Sequence, residues 1–162
     1  MLAGLWLAGP LWAADSSAEL REIDQQYRRG DGLGALQRVD QALRAWPGDA
    51  GLRLLQGVLL ADAGRRPEAA QVLEALTQAF PELPEPYNNL AVLRAADGQL
   101  AQARGLLETA LRLDPQYRTA HENLGDVLVR LAHQAYVAAA GPRAEPLLQT
   151  KLRLARELAA VR

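Results

Sequence analysis

The stretch "ALRLDP", Ala110 to Pro115, is the key to the fold, because near-copies of it stand upstream at a fixed distance. "ALRAWP" ends at Pro47 and "LTQAFP" ends at Pro81, so the three prolines are 34 residues apart. Gly30, Gly64 and Gly98 keep the same spacing, as do Ala35, Ala69 and Ala103, and then Val39, Leu73 and Leu107. A period of roughly 20 to 50 residues is the mark of stacked structural repeats.

Each column has a physical reason. A glycine after an apolar-periodic run supplies the left-handed conformation that ends a helix, and a proline shortly after a helix cannot continue it. Every period therefore reads as helix, glycine turn, second helix, proline stop. The small alanine lets the paired helices approach, and the Val39, Leu73 and Leu107 column faces inward one turn later.

In that frame the helices are expected over about 18–29, 33–45, 51–63, 67–79, 85–97 and 99–113. Ser16 or Ser17 serves as the first cap, and Pro67 suits the opening turn of its helix, where a missing N–H costs nothing. After Pro115 the frame breaks. The next turn glycine is due at position 132, which is Ala132, and from Tyr117 to Ala140 the one glycine is Gly125. Residues between Val127 and Tyr136 are mostly good helix formers. We therefore expect one continuous helix over about 118–139, ended by Gly141-Pro142. A last amphipathic helix follows over about 145–161. Leu131, Ala135 and Tyr136 form an apolar stripe for that last helix, or for a partner, to cover.

The first residues differ in character. "LAGLWLAGPLWAA" is apolar from Leu2 to Ala14 and then switches to "DSSAELREID". The run is too short to span a bilayer but suits the core of an export signal, with Leu11 and Ala13 as a −3/−1 pair. Residues 1–14 are read as a signal peptide cleaved after Ala13 or Ala14, although no Lys or Arg precedes its core. The expected location is the bacterial periplasm, with the cytoplasm as the alternative. Membrane contact would come only through an uncleaved N-terminus.

Composition narrows the function. The 162 residues carry a net charge of −1 with 49% hydrophobic residues, which speaks against a basic nucleic-acid binder. Cysteine is absent, so disulfides, thiol nucleophiles and thiolate metal sites are excluded. "HENLG" at His121 begins like a zinc-protease motif but ends in Gly125, where a second histidine is needed to share the helix face. "GDGLG" at Gly30 looks like a dinucleotide loop but follows a helix, not a strand. No phosphate-binding loop precedes Lys151, and no Gly-x-Ser-x-Gly elbow occurs. We expect no catalytic residues, no metal and no cofactor.

Residues Pro84 to Tyr117 resemble a tetratricopeptide repeat. Tyr87, Leu90, Ala91, Ala103, Leu107, Ala110 and Pro115 stand at the fourth, seventh, eighth, twentieth, twenty-fourth, twenty-seventh and thirty-second places of that pattern. Arg94 replaces the aromatic usual at the eleventh. The unit from Ala50 keeps Gly57, Leu60, Ala69, Leu73 and Pro81, with Arg53 and Gln56 in place of the aromatic and the leucine. The unit from Ser16 keeps Ala35, Val39, Ala42 and Pro47. The resemblance implies an all-α, right-handed helical solenoid of three helix pairs (16–49, 50–83, 84–117). A degenerate fourth repeat and cap, with a fused long helix and a capping helix, follow over 118–162.

The same resemblance implies a concave groove lined by the first helix of each pair, and a protein or peptide partner rather than nucleic acid or a small-molecule substrate. Carried over place by place, its candidate residues are Leu54, Val58, Asp62, Glu85, Asn88, Asn89, Val92, Glu122, Asn123, Asp126 and Arg130. Relatives that clamp the C-terminal carboxylate of heat-shock chaperones place Lys and Asn at the fifth and ninth positions. Leu54, Val58, Asn88, Val92, Glu122 and Asp126 occupy those positions here, so no clamp is expected. Asn88, Asn89 and Asn123 could bond a peptide backbone, since an amide both donates and accepts, or serve surface or intra-fold bonding. Trp46 and Phe80, before the stop prolines, are expected to pack between repeats. The expected function is a non-catalytic interaction scaffold. The alternative is a structural accessory subunit of a cell-envelope biosynthesis or assembly complex. A homodimer through the C-terminal helices is open.

Overall fold

The computed structural model describes residues 16–140 and 145–160. The signal reading of residues 1–14, the Gly141-Pro142 stop and the last residue of the final helix lie outside the described residues. Within them the chain forms eight helices: α1 (Ser16–Arg28), α2 (Gly32–Ala45), α3 (Ala50–Asp62), α4 (Arg66–Ala79), α5 (Pro84–Ala96), α6 (Leu100–Leu113), α7 (Arg118–Ala139) and α8 (Pro146–Ala160). This is an all-α solenoid of three helix pairs followed by a long helix and a final one. Ser16 and Ser17 both lie inside α1 rather than ahead of it.

The turns are as local as the repeat implied. Gly30, Gly64 and Gly98 have φ of 93°, 77° and 78°, the left-handed region that a side chain resists. Around Gly64 its own N–H bonds the Ala61 carbonyl at 3.0 Å and the next N–H, of Arg65, reaches back to Leu60 at 2.9 Å. Gly98 and Gln99 repeat the arrangement on Ala95 and Arg94. Both are Schellman closures, which satisfy carbonyls that the helix end leaves open. Asp31 and Asp49 cap α2 and α3 by accepting from the backbone N–H of Gly34 and Leu52.

Packing follows chain order, each helix lying against the next. In addition α1 touches α3, α3 touches α5 and α5 touches α7, whereas α2, α4 and α6 do not touch one another. The odd helices are therefore closer together, and they form the inner side of the curve. Ile23, Val39, Leu52, Leu59 and Leu73 fill one core, and Ala91, Ala103, Leu107, Ala120 and Val127 a second. Trp46 packs against the first core.

The fourth place of the repeat carries three different side chains and one bond. Arg53 donates Nε–H to the Pro47 carbonyl at 2.8 Å, the Tyr87 hydroxyl donates to the Pro81 carbonyl at 3.3 Å, and His121 Nε2 lies 3.0 Å from the Pro115 carbonyl. Each side chain ties the start of a helix to the stop proline six residues back. The other departures from the pattern also have partners: Gln56 donates to Asp40 at 2.8 Å, and Arg94 pairs with Glu74. At the first turn Arg38 of α2 takes both carboxylate oxygens of Glu19 on α1, at 2.7 and 3.1 Å.

α7 runs unbroken for 22 residues. It packs on α6 through Ala120, Leu124, Val127 and Leu131. The expected stripe is divided: Leu131 joins the core, Ala135 stays exposed, and α8 covers Tyr136 together with Val129 and Ala132. Ala155 of α8 is buried at this contact, and Lys151 Nζ stands 6.0 Å from the centre of the Tyr136 ring.

Candidate functional site, the concave groove

The inner faces of α3, α5 and α7 are presented in register. A cleft of about 370 Å³ opens between α3 and α5, floored by Val58 and Ala61 on one side and Val92 and Ala96 on the other, with Asp62 and Asn89 at its edge. Val58 and Val92 are one period apart, so the helices lie parallel and in phase. Val92 is 45% exposed, a large apolar side chain left open on the inner face. Single exposed apolar residues are ordinary; here the residue lies in a concave, largely apolar cleft.

Two groups at this cleft were missed in the sequence. Tyr27 lines it from α1 near Asp62, and burial, then the Asp62 charge, raises its pKa. It occupies the twelfth place of the first repeat, a groove place that the weak first half of that unit obscured. Arg66 reaches the cleft from α4 while its Nη1 lies 3.3 Å from Asp97. No rule about first helices points to a second-helix arginine.

The remaining candidates divide. Glu122 and Asp126 are exposed on α7, and Arg130 is half-buried. Glu122 shares a 3.2 Å ion pair with Arg118, while Asp126 forms none with any described residue. Glu85 is half-buried beside Tyr117, whose pKa is raised by burial and then by that charge. Leu54 packs partly into the first core. Asn88 does not line the groove: it is 3% exposed, and its Oδ1 accepts from Asn123 Nδ2 at 2.8 Å. The close approach of α5 and α7 turns these two amides onto each other. Asn89, half-buried, is the candidate amide that lines the cleft.

His121 faces away, bonded to the Pro115 carbonyl. Among the described residues no group of His, Asp or Glu could hold a metal ion, and no helix is long and apolar enough to cross a membrane. A second cleft of about 260 Å³ lies between α7 and α8, lined by Val129, Ala132, Tyr136, Leu154 and Leu158.

A solenoid of paired helices with a lined inner face defines a class of repeat proteins. The tetratricopeptide repeat family matches residues 20–84 and 88–145, and the chain belongs to that family. No curated protein matches it. Among solved structures it is similar to the Sgt2 TPR domain of Aspergillus fumigatus (18% identity, TM-score 0.72, covering 85% of this chain and 93% of that one). It is similar to an O-GlcNAc transferase mutant of Thermobaculum terrenum (27% identity, TM-score 0.70, 90% of this chain and 27% of that one). The first TPR domain of Spaghetti (RPAP3), bound to the HSP90 peptide SRMEEVD, matches at 16% identity and a TM-score of 0.66, covering 72% of this chain and 93% of that one.

Proposed function

We propose that this chain is a non-catalytic scaffold that takes a peptide segment of a protein partner in its concave groove, and that it works in the bacterial periplasm after loss of residues 1–14. The observation that carries the binding reading is the cleft between α3 and α5, with Val92 open on the inner face of a fold whose RPAP3 relative holds a peptide. A photocrosslinking residue in place of Val92 should capture a partner in cells, and one in place of Gln102 on α6 should not. Equal capture at both places, or none at residue 92, would count against the groove. Export is supported by the apolar run ahead of Asp15. The mature mass in the native host should correspond to an N-terminus at Ala14 or Asp15; a full-length cytoplasmic chain would rule it out.

A second reading, a structural accessory subunit of a cell-envelope complex, is favoured by an exposed apolar stripe of α8 that borders its cleft with α7. Leu147, Leu154 and Leu158 lie on one face of that helix and are 65%, 46% and 59% exposed. One stable stoichiometric complex on native size separation supports it, whereas a substoichiometric range of clients supports the scaffold. A homodimer through the same helices would show as a doubled mass of the pure protein.

A further inference from the structure

The groove is not uniform along its length, and the gradient has a direction. At the ninth place of successive repeats stand Val58, Val92 and Asp126; at the fifth stand Leu54, Asn88 and Glu122. The α3 and α5 side is apolar, and the α7 side is acidic. The Asn88–Asn123 bond fixes the register of α5 against α7, so Asp126 stands beside Val92 and Glu122 beside the buried amide pair.

The acids are weakly compensated. Asp126 has no ion pair with any described residue, and Glu122 has Arg118 alone, with both of those side chains exposed. An exposed pair of this kind is worth little. Arg66, the cation at the apolar cleft, is engaged by Asp97. Arg130 lies one turn beyond Asp126 and is half-buried. A partner bringing a cation to Glu122 and Asp126 gains an attraction that the fold does not already supply.

Resting on the groove reading above, we propose the chemistry of the occupant. It is an internal, extended segment of a protein partner, with an aliphatic side chain over Val58 and Val92 and a Lys or Arg about four residues away facing Glu122 and Asp126. The spacing comes from geometry. Packed helix axes lie about 8–10 Å apart, and an extended chain advances about 3.3 Å per residue. From the α3–α5 cleft to α7 is about one and a half such spacings, about 12–15 Å, which a strand crosses in about four residues, an even step that keeps both side chains on one face.

The test uses the full chain and amidated 12-residue peptides, titrated by fluorescence anisotropy. Each probe carries one leucine and, four positions on, either arginine or glutamate, set in several unrelated polar frames. The arginine peptides should bind at least about ten-fold tighter, and the gap should shrink in high salt. In the Glu122→Gln/Asp126→Asn chain it should fall below about three-fold. The proposal is overturned if the glutamate peptides bind equally or better, if the gap survives the double substitution, or if no arginine peptide binds up to about 1 mM. Val92→Asn, which removes the apolar contact without adding charge, separates the two levels. If it leaves arginine-peptide binding unchanged, the groove reading itself fails. If it abolishes binding while the double substitution leaves the gap intact, only the charge preference fails.

Discussion

Asn123 donates its Nδ2–H to Asn88 Oδ1 at 2.8 Å, joining α7 to α5 across a repeat boundary. Asn88 is almost wholly buried. The bond therefore belongs to the framework of the groove and not to its recognition surface.

Asn123→Ala should accordingly destabilise the fold. It strips a buried acceptor of its donor, at a cost of about 1–3 kcal/mol. Asn89→Ala, at the cleft edge, should stay within about 0.5 kcal/mol of wild type. Urea denaturation midpoints at unchanged slope check both. Equal stability of the two variants would mean that the buried amide pair contributes nothing.

Gly57 and Gly125 hold the same place two repeats apart, with Ala91 between them, but meet different surroundings. A Cβ on Gly57 would lie 2.9 Å from Leu73 Cδ2, on a buried side chain of α4, whereas one on Gly125 meets nothing within 4 Å. The difference exists because α7 has no paired second helix there. Gly125→Ala should stabilise the protein by about 1 kcal/mol through helix propensity. Gly57→Ala gains the same propensity but overpacks the core, a penalty of about 1–3 kcal/mol. Thermal unfolding of both variants measures that penalty as their difference.

Inserting Asp-Gly after Leu131 should damage the C-terminal end. A glycine inside a helix costs about 1 kcal/mol, and two added residues turn Tyr136 about 200° away from Val129. The α8 contact at Val129, Ala132 and Tyr136 would then be lost. Loss of amide-exchange protection confined to α8 and the end of α7 is the expected signature. An insertion tolerated without it would mean that α8 is held elsewhere.

The peptide SRMEEVD, held by the RPAP3 domain, should not bind this chain. Its acidic C-terminus would face Glu122 and Asp126, with Val58 and Val92 where a carboxylate needs cationic donors. Calorimetry should find a Kd weaker than about 1 mM. Micromolar binding would show that a carboxylate site exists outside the groove places considered.

Much of the architecture was legible because its signals act within a single turn. A glycine at positive φ, a proline without an N–H and a run of helix formers each impose their effect on the nearest few residues. Repetition at 34 residues made those effects recognisable. The length of α7 followed from the same reasoning, since nothing between Val127 and Tyr136 could reverse the chain. What the tertiary structure alone decided are contacts between residues far apart in sequence. Nothing local tells Asn88 to face Asn123, 35 residues away, instead of solvent, or brings Arg66 from α4 to the cleft and Tyr27 to Asp62. Nor does it tell α8 to settle on Val129, Ala132 and Tyr136. Side-chain direction there depends on how closely neighbouring helices approach, and that distance is set by the packing of the whole array.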